Sequence, residues 1–221
     1  MENQGEQTEN KGDWGDRGNQ KKAGYEYLLA YKLTVPIYDL TVQFCNKYIG
    51  KFSRTNDQMV QAARSGMQNI LEGNQQEGMK GYIKLCGVAR GSLEELLQDY
   101  HAYARQHSLG IWPKDRVVRE IREIGAIWEI IKKNPALPPS PNFPNLPDTP
   151  EHAVNLLITL VHQANYLIDK LVVSLKDRHM REGGLTEELY RKRKEYRDKG
   201  ERNGNKGDQG NGGNRWGGQK P

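Results

Sequence analysis

The chain has 221 residues, of which 35% are apolar and 28% charged, so it can hold one domain or two small ones. Two cysteines do not make a disulfide framework, the polar first residues are not typical of a signal peptide, and we find no apolar run of about 18 residues that could span a bilayer. We therefore expect a reduced, cytoplasmic protein without membrane association.

Both ends of the chain predict disorder, and the folded region is expected at about residues 25–182. Residues 1–24 lack apolar periodicity, and residues 200–221 are rich in glycine and asparagine. Such segments bury too little apolar surface to offset the entropy lost on ordering. Residues 185–221 also carry ten basic and six acidic side chains, so most of the net charge of +5 lies behind the folded region. A basic segment of this kind attracts phosphate, although many are only solvated faces.

The first helix is predicted over about residues 25–49. Apolar side chains there recur at steps of three and four, as in a seam between two long helices. Pro36 should kink this helix near Lys32–Thr34, or alternatively the main helix begins at Pro36. The residues of the predicted seam are Leu28, Tyr31, Val35, Tyr38, Val42, Cys45 and Ile49.

Two further helices are predicted over residues 55–73 and 79–107. Thr55 and Gln58 have the spacing of a capping box, which favours a helix start at Thr55. The third helix contains Gly87 and Gly91, and each glycine costs about 1 kcal/mol relative to alanine there. Either another backbone packs closely against them, or they are a tolerated weakness.

A short inserted helix at 113–132 and a proline-rich linker at 133–149 are predicted to precede the last long helix, at 150–181. Thr149, Pro150 and Glu151 form a strong start signal for that helix. Its inner seam has a second apolar stripe beside it, which requires another partner, either the inserted helix or another subunit. Gly183 and Gly184 end the helix, and a basic helical suffix over residues 183–199 follows, with Thr186 as its cap. The second stripe consists of Val154, Ile158, Val161, Ile168 and Val172.

These patterns predict an all-α protein, an antiparallel up-down four-helix bundle with an extra short helix and a proline-rich linker before its last helix. No phosphate-binding loop, nucleophile motif or metal-ligand spacing is present. The acids Glu94, Glu95 and Asp99 lack the Glu-x-x-His pairs of di-metal bundles. We therefore expect no enzyme activity, no cofactor, no catalytic residue and no metal.

The segment from Gln58 to Leu97 resembles the four-helix-bundle family of 23S rRNA-intervening-sequence proteins, encoded within bacterial large-subunit ribosomal RNA genes. The same family includes the accessory variability determinant of diversity-generating retroelements. The segment after Gly183 looks like the tail of a subfamily with a "four helix bundle suffix". The family-motif residues, expected to have a structural role, are Ala62, Ala63, Ser65, Asn69, Glu72, Gly73, Gly91, Ser92 and Glu95, with Ile70, Tyr82, Lys84, Ala89 and Leu93 also matching.

This resemblance implies a ring of identical subunits, a homopentamer, and nucleic-acid or reverse-transcriptase binding in some relatives. Val60 and Gln61 stand where many relatives have arginine, and Met67 where many have proline. The basic side chains that remain as candidates for binding nucleic acid are Arg54, Arg64, Lys80, Lys84, Arg90, Arg191, Lys192, Arg193, Lys194 and Arg197.

Two functions follow as hypotheses. The first is a non-enzymatic bundle that binds structured RNA or an RNA–DNA intermediate through these phosphate-binding cations, with Trp14 and Trp216 of the tails stacking on bases. The alternative is a protein-interaction scaffold that docks a partner such as a reverse transcriptase.

Overall fold

The computed structural model describes residues 17–134 and 143–204, and every regular element in those residues is an α-helix. The helices are α1 (Arg17–Tyr48), α2 (Arg54–Asn74), α3 (Met79–Gln106), α4 (Lys114–Glu120), α5 (Arg122–Lys133), α6 (Pro150–Glu182) and α7 (Leu185–Gly204). The all-α prediction is therefore confirmed.

Four long helices, α1, α2, α3 and α6, form a bundle in which each packs against two others: α1 against α2 and α6, and α3 against α2 and α6. The Tyr48 hydroxyl donates to the carbonyl oxygen of Asp148 at 2.6 Å, which places the end of α1 beside the start of α6. In the core, the Tyr100 and Thr41 hydroxyls lie 2.8 Å apart. The Tyr100 and Phe44 rings pack edge to face, with their centroids 5.2 Å apart. The bundle therefore has an aromatic and polar pair at its centre, hydrogen-bonded within itself.

The helix α1 begins earlier than predicted and continues through Pro36. Residues 17–24, for which disorder was expected, lie in α1. The alternative start at Pro36 is wrong, and the kink near Lys32–Thr34 stays a prediction. The expected disorder of residues 1–16 and 205–221 lies outside the described residues, whereas α7 runs to Gly204, beyond the predicted suffix.

The predicted seam of α1 is the wrong stripe of that helix. Two stripes run side by side along it with the same spacing of three and four residues, so periodicity alone does not choose between them. The structure buries the aliphatic stripe and leaves the stripe with the tyrosines half-buried, which keeps the tyrosine hydroxyls near water. The buried stripe is Ala30, Leu33, Ile37, Leu40 and Phe44, and Cys45 is the only fully buried member of the predicted one among the described side chains.

The start of α2 is one residue earlier than predicted. Ser53 is the N-cap, and its side chain accepts a hydrogen bond from the backbone N–H of Thr55 at 3.2 Å. Thr55 is therefore a first-turn residue, and the predicted capping box does not form there. Ser53 serves as the N-cap because its short side chain reaches the free N–H groups of the first turn.

The inserted segment forms two helices, where one was predicted. The helix is interrupted at Ile121, which has the non-helical angles φ −97° and ψ 89°, and the Ile121 side chain is buried. The break lets α5 turn so that Ile127 and Ile131 are buried too. The indole N–H of Trp128 on α5 donates to Gln163 on α6 at 2.8 Å.

The second apolar stripe of α6 is buried within this one chain, because α6 packs against α1 and α3 and also touches α4 and α5. Another subunit is not needed to cover it. The buried members are Val154, Ile158, Val161 and Ile168, and Val172 is half-buried.

One stretch of the described chain, Pro150–Lys199, contains a window with a mean hydropathy of 1.3 that is long and apolar enough to cross a membrane by length and composition. The expectation that no segment meets this criterion is therefore wrong. Half of that window is buried inside the bundle, and a core helix with an apolar stripe on two sides meets the same criterion. Its hydropathy follows from core packing.

Candidate nucleic-acid interface

The family-motif residues connect α2 to α3. The Ser65 and Ser92 hydroxyls lie 2.8 Å apart, and the side-chain amide of Asn69 donates to the Ser65 carbonyl oxygen at 2.8 Å. A Cβ on Gly73 would lie 2.7 Å from the Tyr82 ring, so glycine is required there for close packing. Ala62 and Ala63 are buried in the same contact. These motif residues therefore hold a helical hairpin together.

Three other motif residues have no such role in the described chain. Glu72, Gly91 and Glu95 are exposed, and a Cβ on Gly91 or Gly87 would meet no atom within 4 Å. The interpretation of Gly87 and Gly91 as sites of close backbone packing is therefore wrong within this chain, where open space surrounds both.

Arg54 is in acidic surroundings. It lines a surface hollow of about 790 Å³ between α2 and α3 together with Asp57, Glu95 and Asp99. Burial raises the pKa of Asp99, and the nearby charge of Glu95 raises it further. Three carboxyl groups and one guanidinium make this hollow a poor place for phosphate.

Arg90 is neutralised by acids of the bundle. Its guanidinium lies 2.8 Å from the Glu94 carboxylate and 3.4 Å from that of Asp169 on α6. The hydrogen bond from Arg90, and then that from Gln98, lowers the pKa of Glu94. Arg90 therefore joins α3 to α6 and has little charge left for a ligand.

The candidates Arg64, Lys80 and Lys84 are exposed, and none has an ion pair within 4 Å among the described residues. Hydrogen bonds from the backbone of Glu187 and Gly184 lower the pKa of Glu187 at the start of α7. The charge of Lys80, in the first turn of α3, lowers it further, so Lys80 lies close to α7. Lys80 and Lys84 therefore place two cations near the start of α3, at the end of the bundle next to α7, whereas Arg64 lies midway along α2.

The helix α7 extends away from the bundle. Gly183 has a φ of 77°, a left-handed conformation that glycine adopts without strain and that redirects the chain after α6. The backbone N–H of Gly184 donates to the Glu187 carboxylate at 2.9 Å, so α7 starts at Leu185 and the predicted cap at Thr186 is not used. Every side chain over residues 189–199 is exposed.

The five basic candidates of α7 are thus all accessible. Lys192 donates to Glu188 at 2.6 Å, whereas Arg193, Lys194 and Arg197 have no ion pair within 4 Å among the described residues. Trp14 and Trp216, expected to stack on bases, lie outside the described residues. The structure brings Lys80, Lys84 and α7 to one end of the molecule and leaves Arg54 at the other.

Residues 26–128 match the family model described as 23S rRNA-intervening sequence protein. Over these residues the chain is similar to that family. The match covers α2, α3 and α4 with most of α1 and α5, and leaves α6 and α7 outside it. Comparison with curated proteins and with solved structures gives no match. The suffix subfamily and the relation to retroelement accessory proteins stay predictions.

Among the described residues, no three His, Cys, Asp or Glu side chains are placed to hold a metal ion together. The ring centroids of His101 and His162 lie 6.5 Å apart. Burial lowers the pKa of His101, and the nearby charge of His162 lowers it further. Two imidazoles without a third ligand do not make a zinc site.

Proposed function

We propose that this protein is a non-enzymatic, cytoplasmic, oligomeric bundle that binds structured RNA or an RNA–DNA hybrid through basic side chains. The observation that supports this most directly is the exposed basic stretch of α7, beside Lys80 and Lys84 of the bundle. The family description, which refers to 23S rRNA, is compatible with a nucleic-acid-associated role. Binding would be to phosphates, without sequence reading.

Counterion release gives the proposal a quantitative test. Each phosphate that a cation neutralises should contribute a slope of about −0.9 to a plot of log affinity against log salt for duplex, and about −0.7 for single strands. We expect a labelled structured RNA to bind the full-length protein at low salt and to dissociate steeply as salt rises, measured by fluorescence anisotropy. Absence of binding at low salt would end the proposal.

A charge-matched pair of variants localises the interface. One variant carries glutamine in place of the five basic candidates of α7, and the control carries glutamine at five exposed basic residues near the opposite end. Both lose the same charge, so a general attraction would weaken both equally. We expect only the first to lose affinity and to show a shallower salt slope. The control positions are Lys51, Arg105, Lys114, Arg119 and Arg122.

A second candidate function is supported by an apolar groove of about 810 Å³ between α4, α5 and α6. Val118, Tyr166 and Ile111 of this groove are 74%, 61% and 47% exposed. Exposed apolar surface of this kind is typical of protein contacts. A scaffold that docks a partner protein, such as a reverse transcriptase, would keep that partner after nuclease treatment and lose it in a Val118→Asp variant. Loss of the partner on nuclease treatment alone would favour the RNA-binding function.

The proposed assembly into a ring, of five subunits as the resemblance implies, has its own support. Tyr166, Val173 and Met180 are 61%, 56% and 76% exposed and recur every seven residues along the outer face of α6. An apolar row at that spacing suits contact with another helix. Light scattering should give a mass above the 25.2 kDa of one chain, and Val173→Glu should lower it. A monomer at every concentration would contradict the assembly.

A further inference from the structure

The helix α7 has two faces of different charge character. Tyr190, Arg193, Lys194 and Arg197 are spaced by three, four and seven residues, which places them on one face. Glu187 and Asp198 flank this face, seven residues before and four residues after Lys194, whereas the opposite face carries Glu188, Lys192, Glu195 and Lys199 in alternation. We call the first set the Tyr190 face and the second the alternating face.

The alternating face has two acids and two bases, whereas the Tyr190 face has three bases and no acid between them. Lys192 donates to Glu188 at 2.6 Å, and Lys199 follows Glu195 by one turn. Among the side chains described up to Lys199, no carboxylate lies within 4 Å of the three cations of the Tyr190 face. The Tyr190 face therefore has three cations without an ion pair in the described part of the chain, and Arg191, which also has none there, lies between the two faces.

The Tyr190 face points away from the bundle. The hollow of about 510 Å³ at the start of α7 is lined, from this helix, by Leu185, Glu188 and Arg191. Tyr190 lies on the other side of the helix and is 65% exposed. A ligand can therefore reach the whole Tyr190 face without displacing any part of the described chain.

From this arrangement we infer that the Tyr190 face binds RNA that contains unpaired nucleotides, with Tyr190 stacked on a base and Arg193, Lys194 and Arg197 on the adjoining phosphates. The inference rests on the RNA binding proposed above and specifies its substrate and its side chains. Bases inside a duplex have both faces stacked already, so an exposed tyrosine gains a partner only where bases are unpaired. From Tyr190 to Arg197 the helix rises about 10 Å, roughly three nucleotides of a stacked strand.

The ring and the three cations are tested by separate variants of the full chain. The probes are a labelled, unpaired RNA oligonucleotide and the blunt duplex that it forms with its complement. Tyr190→Ala should weaken binding of the unpaired strand between about fivefold and about a hundredfold and leave duplex binding nearly unchanged. Tyr190→Phe keeps the ring and should keep the affinity. Tyr196→Ala is the matched control, because Tyr196 is 83% exposed but lies about 120° around the helix.

The charge test uses two triple variants that lose the same charge. Arg193, Lys194 and Arg197 are changed to glutamine in one, and Arg191, Lys192 and Lys199 in the other. We expect a clear loss of affinity for the first and a small loss for the second. Circular dichroism establishes that α7 keeps its helix in both.

Several results would overturn the inference. Equal losses of RNA affinity in the two triple variants would mean that the whole helix attracts RNA by its general positive charge. An unchanged affinity in Tyr190→Ala would show that Tyr190 does not stack on a base. Competition by polyglutamate as effective as competition by RNA would assign the face to an acidic protein. In all three cases the wild type still binds RNA and the proposed function stands, whereas a wild type that binds neither probe at low salt refutes both.

Discussion

The contact between α2 and α3 depends on a glycine that the family motif does not include. Gly66 is buried, and a Cβ placed on it would lie 2.7 Å from Cδ2 and 2.8 Å from Cγ of Leu93. Leu93 is fully buried, so its side chain has no free space to turn into. Gly66→Ala should therefore cost about 1–3 kcal/mol by overpacking and gain about 1 kcal/mol in helix propensity, a net loss of about 0–2 kcal/mol.

Gly91→Ala is the matched control, because Gly91 is also inside a helix but a Cβ there meets no atom within 4 Å. Only the propensity gain applies, so this variant should be more stable than the wild type by about 1 kcal/mol. The propensity contributions cancel when the two variants are compared. The difference in unfolding free energy between them, expected at about 1–3 kcal/mol, therefore measures the contact with Leu93 alone.

Urea unfolding followed by circular dichroism gives both free energies. The measurement is repeated at two protein concentrations, because the stability of an oligomer depends on concentration. Equal stability of the two variants would refute the reasoning, since it would mean that α2 and α3 do not approach closely at Gly66. A destabilised Gly91→Ala would place another chain against that exposed position.

Three further predictions concern buried polar groups. Burial raises the pKa of the Cys45 and Cys86 thiols from the usual 9.0 to about 12, with Asp99 adding to the rise at Cys45. The unfolded chain then holds fewer thiol protons than the folded one between those values, so stability should fall as pH rises from 9 to about 12, and the urea midpoint should fall less steeply in a Cys45→Ala/Cys86→Ala variant. Asn155 accepts from the backbone N–H of Trp112 at 2.7 Å and donates to the Gly110 carbonyl oxygen at 2.9 Å, so Asn155→Leu should cost about 2–4 kcal/mol in urea unfolding by leaving both groups unpaired. Neither amide atom of the buried Asn165 has a partner among the described residues, so Asn165→Leu should be neutral or stabilising by up to about 3 kcal/mol, and a loss would show that the amide is satisfied by another molecule.

The helix signals that could be read from the sequence are those made by near neighbours along the chain. Thr149 accepts a hydrogen bond from the N–H of His152 at 3.4 Å, and Pro150 occupies the first turn of α6, as predicted. Both effects need only residues within one turn. The break at Ile121 has no such local signal, because its neighbours Arg119–Glu120 and Arg122–Glu123 include neither glycine nor proline. It is the burial of Ile121 against the bundle that sets the angle there.

The choice of core stripe in α1 is a tertiary property for the same reason. Val35 and Leu33 belong to stripes of equal spacing, and each could serve as a seam on its own helix. Leu33 is fully buried because α2 and α6 pack against its side of α1. The side on which they pack depends on the assembly of all four helices and cannot be read from α1 alone. Residue type gave one usable signal, since the rejected stripe contains two tyrosines whose hydroxyls favour the surface.

The candidate interface also has a part that could be read from near neighbours along the chain, the helix α7, and a part that could not, the basic side chains of the bundle. Arg90 was a reasonable candidate from sequence, but Asp169, which neutralises it, lies 79 positions further along the chain and on another helix. Over residues 189–199 of α7 every side chain is exposed, so the charges on the outer side of this helix have their nearest neighbours one turn away along the chain. The division of α7 into an alternating face and a face with three basic side chains therefore follows from its sequence once its helix and its exposure are known. Charges on a projecting helix can be assigned from spacing, whereas charges on a packed helix need the coordinates of their partners.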